Sequence, residues 1–353
     1  MKWPYENELG IKETVRYDVV VLGGGISGCL AAISAKNKGL SVAIVEKGSI
    51  GKSTDKVFYN EVIKRNSYLE ELLENHGEEL LIQLEKMGLK ENESNLNINE
   101  CLKSKILSKN FKPILVRQLR ILGIKLFERV EACNLLTNEN KVCGAIGIHT
   151  RTAKTMIFEA KSVIMAMSKP SRIFHFNSEI PALSEPCAFQ CVGSGIAMAI
   201  RNGVEIEYKN KEEFGIQFNK DLKTNIDGLF VCGKQLIGCD DVLSCVSGNY
   251  VGKKASDYAM NTSYSDYDSS QIINEEKRLF APFYNTGNMS WIECNAWIVH
   301  CIQTDITQLE QCEYVNQLSC RNPHDLVRIH EVFDILEIAK MLMKKVGVNH
   351  ESN

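Results

Sequence analysis

Residues 18–48 read DVVVLGGGISGCLAAISAKNKGLSVAIVEKG, and this stretch decides the fold. The apolar, β-branched run from Asp18 to Leu22 predicts a strand buried on both faces, as in parallel sheets. The Ala-rich run 26–38 predicts a helix, and residues 41–45 predict a second strand. Strand, helix and strand in this order form a βαβ unit, which is typical of doubly wound α/β proteins.

The turn between the first strand and the helix contains glycines at 23, 25 and 28, in a GxGxxG pattern. Such glycines permit a tight turn, close approach of the backbone to a pyrophosphate, and close packing of helix on strand. Glu46 follows Gly28 by 18 residues, where an acid can accept hydrogen bonds from a ribose. The pattern favours a dinucleotide over a glycine-rich turn without a ligand, but it does not separate NAD from FAD.

A second strand–loop–helix pattern lies in TNIDGLFVCGKQLIGCDDVLSCVSGNYVGKKASDYA, residues 224–259. Residues 229–232 predict a strand ended by Gly233, and Ser247-Gly248-Asn249 precede a predicted helix from about Tyr250. In two-dinucleotide-binding flavoproteins, such a segment closes the FAD site, and the helix dipole stabilises negative charge on the reduced flavin. A simple NAD dehydrogenase does not need this pairing, so the two motifs together favour FAD.

The order of these motifs resembles the flavoprotein family of adenylylsulfate reductase α-subunits and fumarate reductase/succinate dehydrogenase flavoproteins. Two further segments support the resemblance: GSGIAMAIRNGVEIE at 193–207, and the helical C-terminal run RNPHDLVRIHEVFDILEIAKMLMKKVGVNHES at 321–352. The resemblance spans nearly the whole chain. It implies an α/β fold with a Rossmann-like, three-layer FAD-binding domain over residues 1–262, built on a central parallel sheet and a β-meander. A small helical domain over 270–353 follows.

The motifs and the resemblance together predict the residues that contact FAD. The resemblance places the adenine contact around Val130 and the flavin at an apolar strand end. No histidine lies in the loop 48–60, where fumarate reductases carry the residue that links FAD covalently, so non-covalent FAD is expected. The predicted contacts are Gly23, Gly25, Ile26, Ser27, Gly28, Glu46, Lys47, Ser53, Val130, Ala166, Met167, Gly233, Ser247, Gly248, Asn249, Tyr250 and Val251.

The sequence departs from the family on the isoalloxazine and substrate side. Few residues separate Glu207 from Phe214, where the family inserts a capping domain, and a polar run follows Ser53 in place of a Gly/Ala/Ser-rich loop. Lys234 replaces an acid, Ala166-Met167-Ser168 replaces Ala-Thr-Gly, and the chain ends at 353, before the family's arginine-containing tail. The sequence assigns no catalytic residue.

These observations predict an FAD-dependent oxidoreductase, or the flavin subunit of a reductase complex, which transfers two electrons or a hydride. The alternative is a degenerate flavoprotein with a structural or partner-binding role and no turnover. Because the cap is missing, another chain is expected to cover the flavin, either an iron–sulfur, ferredoxin-like subunit or a second copy of this chain.

Composition excludes several other classes. The formal net charge of −3 without long single-sign runs argues against a nucleic-acid partner. No apolar run reaches the roughly 20 residues of a membrane span, and the first residues show no secretory signal, so a cytoplasmic location is expected. The 13 cysteines are odd in number and include no paired CxxC, which predicts reduced thiols and no metal site.

Three other features lie near the predicted flavin. The cysteines at 232, 239 and 245 lie near the predicted flavin, where buried thiols are favoured over a redox dithiol. His175 lies near the presumed flavin and is a candidate functional residue, although a residue without a functional role is favoured there. The side chain of Lys234 is expected to point to solvent, rather than to hold a negative charge at the flavin.

Overall fold

A computed structural model describes residues 5–52, 64–89, 96–174, 190–311 and 314–351. None of the helices in these segments has the length and apolar character needed to cross a membrane. In chain order, the strands and helices are β1 (Lys12–Leu22), α1 (Ile26–Lys36), β2 (Val42–Glu46), α2 (Ser67–Lys86), α3 (Ile98–Leu107), α4 (Phe111–Ile121), β3 (Lys125–Glu128), β4 (Val130–Asn138), β5 (Lys141–His149), β6 (Thr155–Met165), α5 (Ser194–Arg201), β7 (Ile206–Tyr208), β8 (Phe214–Ile216), β9 (Leu229–Val231), α6 (Asp241–Met260), α7 (Ser270–Tyr284), α8 (Trp291–Gln303) and α9 (Pro323–Glu351).

The core is a mixed, mostly parallel sheet with the strand order β3-β2-β1-β6-β5-β4. β1 pairs in parallel with β2 on one side and with β6 on the other. Along its other edge, β6 pairs with two strands. β5 pairs antiparallel with the first half of β6, and β9 pairs in parallel with the second half. β4, β5 and β6 form the expected antiparallel meander. The predicted fold class is therefore confirmed.

β1 starts earlier than its apolar run predicts. Its first half alternates exposed and partly buried residues, whereas Val19 to Leu22 are fully buried. The extension forms because Lys12 pairs with Thr155 and the ladder continues to the pair of Leu22 and Met165. Only the second half of β1 is buried on both faces, and such burial produces the continuous apolar run by which a parallel strand is predicted from sequence.

The prediction that a helix begins near Tyr250 is wrong, because α6 already begins at Asp241. The side chain of Asp240 caps it by accepting a hydrogen bond from the Leu243 N–H at 2.9 Å. Ser247, Gly248, Asn249, Tyr250 and Val251 therefore lie inside the helix. The small residues of this segment allow α6 to pack closely on α1. A Cβ atom at Gly248 would lie 2.4 Å from the carbonyl oxygen of Ser27 in α1.

After the polar segment that follows α6, helices α7 and α8 each pack against α9. α9 begins at Pro323, and the side chain of Asn322 accepts the N–H of Asp325 at 3.0 Å. Arg201 of α5 holds α9 through an ion pair with Asp334 at 2.8 Å. The division into units at 262 and 270 remains a prediction.

A buried ion cluster joins α9 to the strand ends. The carboxylate of Glu331, only 1% exposed, accepts hydrogen bonds from Lys47 at 3.0 Å, Arg172 at 2.7 Å and Arg328 at 2.7 Å. Burial alone would raise the pKa of Glu331, but these three cations outweigh burial and hold the pKa far below its ordinary value. The carboxylate therefore stays charged in the folded protein, and its loss would leave buried cations uncompensated.

Glu331→Gln is expected to lower the free energy of unfolding by about 3–5 kcal/mol at neutral pH, since Lys47 and Arg172 would lose their shared anion. Urea unfolding measures this change. Glu213→Gln is the matched control, because Glu213 forms an exposed pair with Lys209 that is worth less than about 1 kcal/mol.

The same carboxylate gives a pH dependence. Because its folded pKa lies below the ordinary 4.5, its stabilisation is complete above that value and is lost as the pH falls. The stability of the natural chain should therefore fall more steeply below about pH 5 than that of Glu331→Gln. Parallel pH profiles for the two proteins would contradict this assignment.

Candidate nucleotide-binding site

The turn after β1 is shaped by three glycines with different roles. Gly23 has a φ of +110° and donates its N–H to the carbonyl oxygen of Val45 at 2.8 Å. A Cβ atom at Gly28 would lie 1.9 Å from the carbonyl oxygen of Gly23, so α1 can approach the strand only without a side chain there. A Cβ atom at Gly25 would meet no atom within 4 Å. Gly25 therefore faces open space, where a ligand backbone can approach.

Glu46 closes the other side of this turn. Its two carboxylate oxygens accept the N–H groups of Gly24 at 2.8 Å and Gly48 at 2.7 Å. These bonds fix the side chain at the carboxyl end of β2, beside the start of α1. α1 begins without a side-chain cap, so its first N–H groups face the same region as the Glu46 carboxylate.

An open cleft lies above these strand ends. The structure places eight of the predicted contacts on its wall. They come from the turn, from the ends of β2 and β6, and from the residues that follow β6. These residues are Gly23, Gly25, Ile26, Ser27, Glu46, Lys47, Ala166 and Met167.

Other predicted contacts lie beside the cleft or away from it. Val130 is buried at the start of β4, and its neighbours Glu131 and Ala132 line the cleft instead. Gly233 packs against Ser27, whose Oγ would lie 2.4 Å from a Cβ atom at that position.

The segment from Ser247 to Val251 does not line the cleft, since it lies inside α6. Ser247 supports the site indirectly, because its hydroxyl accepts the N–H of Gly233 at 3.2 Å. Asp241 and Ser244, in the first turn of α6, occupy the cleft wall that the prediction gave to Ser247-Gly248-Asn249. Ser53 and His175 fall outside the described residues.

Sequence reasoning missed several residues that the fold brings to the cleft. Lys112, in the first turn of α4, lines the cleft together with Gly25. Ser194 begins α5, and its hydroxyl is buried with no hydrogen-bond partner in the described segments. Their one sequence signal is that both stand at a helix start, and only the fold shows which helix starts meet at the cleft.

The expectation that Lys234 points to solvent is wrong. Its ammonium group lies 2.9 Å from the carboxylate of Asp241, and both residues line the cleft. The pair forms because Gly233, with a φ of +75°, turns the chain from β9 toward the start of α6. The far end of the cleft thus carries one cation and one anion in contact.

The three cysteines near the cleft are buried thiols. Burial raises the pKa of Cys239 to about 11 and also raises the pKa values of Cys232 and Cys245. At neutral pH they are protonated, and a protonated thiol is a poor nucleophile. Each described cysteine is a free thiol in the structure.

No capping domain separates β7 from β8. These two strands form an antiparallel hairpin in which Ile206 pairs with Ile216 and Tyr208 with Phe214. The intervening residues 209–213 form a short turn closed by a hydrogen bond from the Lys209 N–H to the Glu213 carbonyl oxygen at 3.0 Å. The chain therefore passes from β7 to β8 through five residues.

Comparison with known proteins agrees with this geometry. The model of the FAD dependent oxidoreductase family matches residues 18–166, which include the glycine turn, Glu46 and the meander. No curated protein matches the chain significantly in sequence.

Similar solved structures cover most of the chain. Adenylylsulfate reductase from the hyperthermophilic Archaeoglobus fulgidus has a TM-score of 0.76 at 14% identity, covering 98% of this chain and 91% of that chain. E. coli quinol fumarate reductase FrdA has a TM-score of 0.74 at 14% identity, with 94% and 88% covered. Mycobacterium smegmatis Sdh1 has a TM-score of 0.73 at 16% identity, with 94% and 87% covered.

The chain has the fold of these reductase flavoproteins. The resemblance inferred from the sequence motifs is confirmed. The family match to residues 18–166 supports an oxidoreductase. No finding supports the alternative of a degenerate flavoprotein without turnover.

Gly28 and Gly25 provide a matched pair of variants that tests the separate roles of the glycines in this turn. Gly28→Ala should lower the free energy of unfolding by about 3 kcal/mol or more, because its Cβ overlaps the Gly23 carbonyl. Gly25→Ala should change stability by less than about 1 kcal/mol, since its Cβ points into open space. Urea unfolding without added ligand measures both, and equal losses would contradict the separate roles.

Proposed function

We propose that the protein binds FAD non-covalently in this cleft and acts as an FAD-dependent oxidoreductase, alone or as the flavin subunit of a reductase complex. The observation that carries the proposal is the meeting of Gly25, Glu46 and the uncapped start of α1 at one wall of the cleft. Bound FAD would supply the two-electron chemistry, and the family match to residues 18–166 supports this cofactor.

The residues present fit the adenosine and pyrophosphate half of FAD. The open space at Gly25 admits a phosphate close to the backbone, and the start of α1 offers N–H groups to it. Lys112 adds a positive charge on the same side. The Glu46 carboxylate is already oriented by two backbone N–H groups and keeps further lone pairs for ribose hydroxyls.

The other half of the cleft lacks the cover that a capping domain provides. Within the described residues, the short hairpin of β7 and β8 stands where such a domain would begin, and Lys234 and Asp241 line this part of the cleft. A water-exposed flavin is poorly suited to reductions that need a dry site and a placed proton donor, and better suited to electron exchange. We therefore propose that a second chain covers this face, either an iron–sulfur protein or another copy.

Purified protein should be yellow and should bleach with dithionite. Acid precipitation should release the flavin into the supernatant, because binding is non-covalent. Flavin that remains in the pellet would contradict non-covalent binding. Protein that is colourless and takes up no added FAD would contradict the proposed function.

The covering chain can be tested separately. The isolated chain should show little reduction of small enoates with a low-potential donor, because water reaches its flavin. Pull-down from the native host should recover an iron–sulfur protein, or gel filtration should show a dimer. A structure of either complex should show an interface that buries more than about 1,000 Å² in total. Robust enoate reduction by a monomer would refute the open flavin face.

Glu46→Ala should weaken FAD binding by about 10- to 150-fold, because a charge-assisted hydrogen bond to the ribose is lost. Titration of the flavin-free protein with FAD measures the affinity. Glu128→Ala is the matched control. Glu128 lies opposite Glu46 in the register of β2 and β3, but its carboxylate accepts the N–H of Ile50 and does not line the cleft. If the two variants bound FAD with equal affinity, the assignment of Glu46 to the ribose would be wrong.

A further inference from the structure

Three buried side chains from distant parts of the chain meet where β4 packs near α9. Glu131 and Cys133 stand two residues apart on β4, and His330 lies in the second turn of α9. Their carboxylate oxygen, sulfur and ring nitrogen all lie within 4.8 Å of one another. Exposed fractions are 3%, 5% and 3%. Glu131 also lines the nucleotide cleft, whereas Cys133 and His330 do not, so the cluster adjoins the proposed FAD site.

The hydrogen bonds of His330 fix its proton. Nε2 lies 2.7 Å from the carbonyl oxygen of Leu279, which can only accept, so Nε2 carries a hydrogen. In the neutral ring, Nδ1 is then a bare lone pair, and it faces Oε2 of Glu131 at 3.6 Å. Within the described segments, neither oxygen of Glu131 nor Nδ1 of His330 has a hydrogen-bond partner.

Two buried acceptors that face each other require a cation between them. A proton on Nδ1 would give an imidazolium–carboxylate pair, but such charge-assisted bonds have lengths of about 2.7–2.9 Å. The observed 3.6 Å is too long for that bond. It agrees with the separation of about 3.3–3.6 Å between two ligands that each lie about 2.0–2.2 Å from a tetrahedral zinc ion.

We propose that Glu131, Cys133 and His330 bind one zinc ion that links β4 to α9. Oxygen, sulfur and nitrogen donors suit zinc and exclude calcium and magnesium, which take oxygen ligands. A carboxylate and a thiolate balance the charge of the ion, and the thiol proton passes to solvent on binding. The Leu279 carbonyl orients the histidine as an outer partner does in zinc sites. Three protein ligands leave one position for water.

This site could not be predicted from spacing along the sequence. Cys133 has no neighbouring cysteine or histidine in a CxxC or HxxxH pattern, and His330 is 197 residues away. The absence of paired CxxC motifs therefore predicted no metal. The cluster becomes visible only when α9 is packed beside the meander.

Metal content provides the test. The full chain, purified with a histidine-free tag, should contain about one zinc per chain after dialysis against metal-free buffer. Cys133→Ser, His330→Gln and Glu131→Gln should each bind zinc at least about 100-fold more weakly, a larger loss than removal of an outer partner causes. Cys143→Ser is the matched control, since Cys143 is a buried cysteine of the adjacent β5 outside the cluster, and it should bind zinc like the natural chain.

Cobalt substitution tests the ligand set directly. Cobalt-loaded protein should show a thiolate-to-cobalt absorption in the near ultraviolet that Cys143→Ser retains and Cys133→Ser loses. Zinc at 100 times its Kd should raise the thermal midpoint by about 3–4 °C, and this shift should vanish in the three ligand variants. If those variants fail to fold, the cobalt spectra of the natural chain and Cys143→Ser decide.

The proposal is overturned if the natural chain binds neither zinc nor cobalt. It is also overturned if a folded Cys133→Ser or His330→Gln keeps natural affinity for zinc. A chain free of metal in which His330 titrates as an imidazolium would show that a proton fills this position instead.

Discussion

The carboxylate of Glu331 bridges cations from three separate regions of the chain, and the position of the C-terminal helices depends on it. Lys47 directly follows the acid at the end of β2, Arg172 follows β6, and Arg328 lies one turn before Glu331 in α9. Because Lys47 also lines the cleft, the docking of α9 and the shape of the nucleotide site are coupled. A change in either region must act on the other through a buried charge network, where a single unpaired ion is costly.

Local physics made the first part of the fold predictable. The β1–α1–β2 unit depends on burial of consecutive apolar residues and on the steric demands of Gly23 and Gly28, which act within thirty residues of chain. The second motif was harder, because Ser247, Gly248 and Asn249 are typical of helix starts and also of close helix packing. The structure shows packing, since Asp240 caps the helix a full two turns earlier.

The residues of the cleft also fall into two groups, those that short sequence motifs identify and those that only tertiary packing brings together. Gly25, Glu46 and Met167 were predicted because motifs place them at strand ends. Lys112, Ser194 and Glu131 were not, because they reach the cleft through packing of α4, α5 and β4 on the sheet. The dinucleotide half of the site is therefore encoded in short segments, and the remaining wall is assembled from residues with no common pattern.

The hairpin of β7 and β8 also bears on how chains of this fold can change in size. Its strands form a sheet of their own, separate from the central sheet, and its turn at 209–213 is exposed. Additional chain entering and leaving at that turn would break no bond of the central sheet, which is the condition under which domain insertions succeed. The fold thus has an attachment point where a module can be gained or lost in evolution, or grafted by an engineer, without rebuilding the nucleotide site.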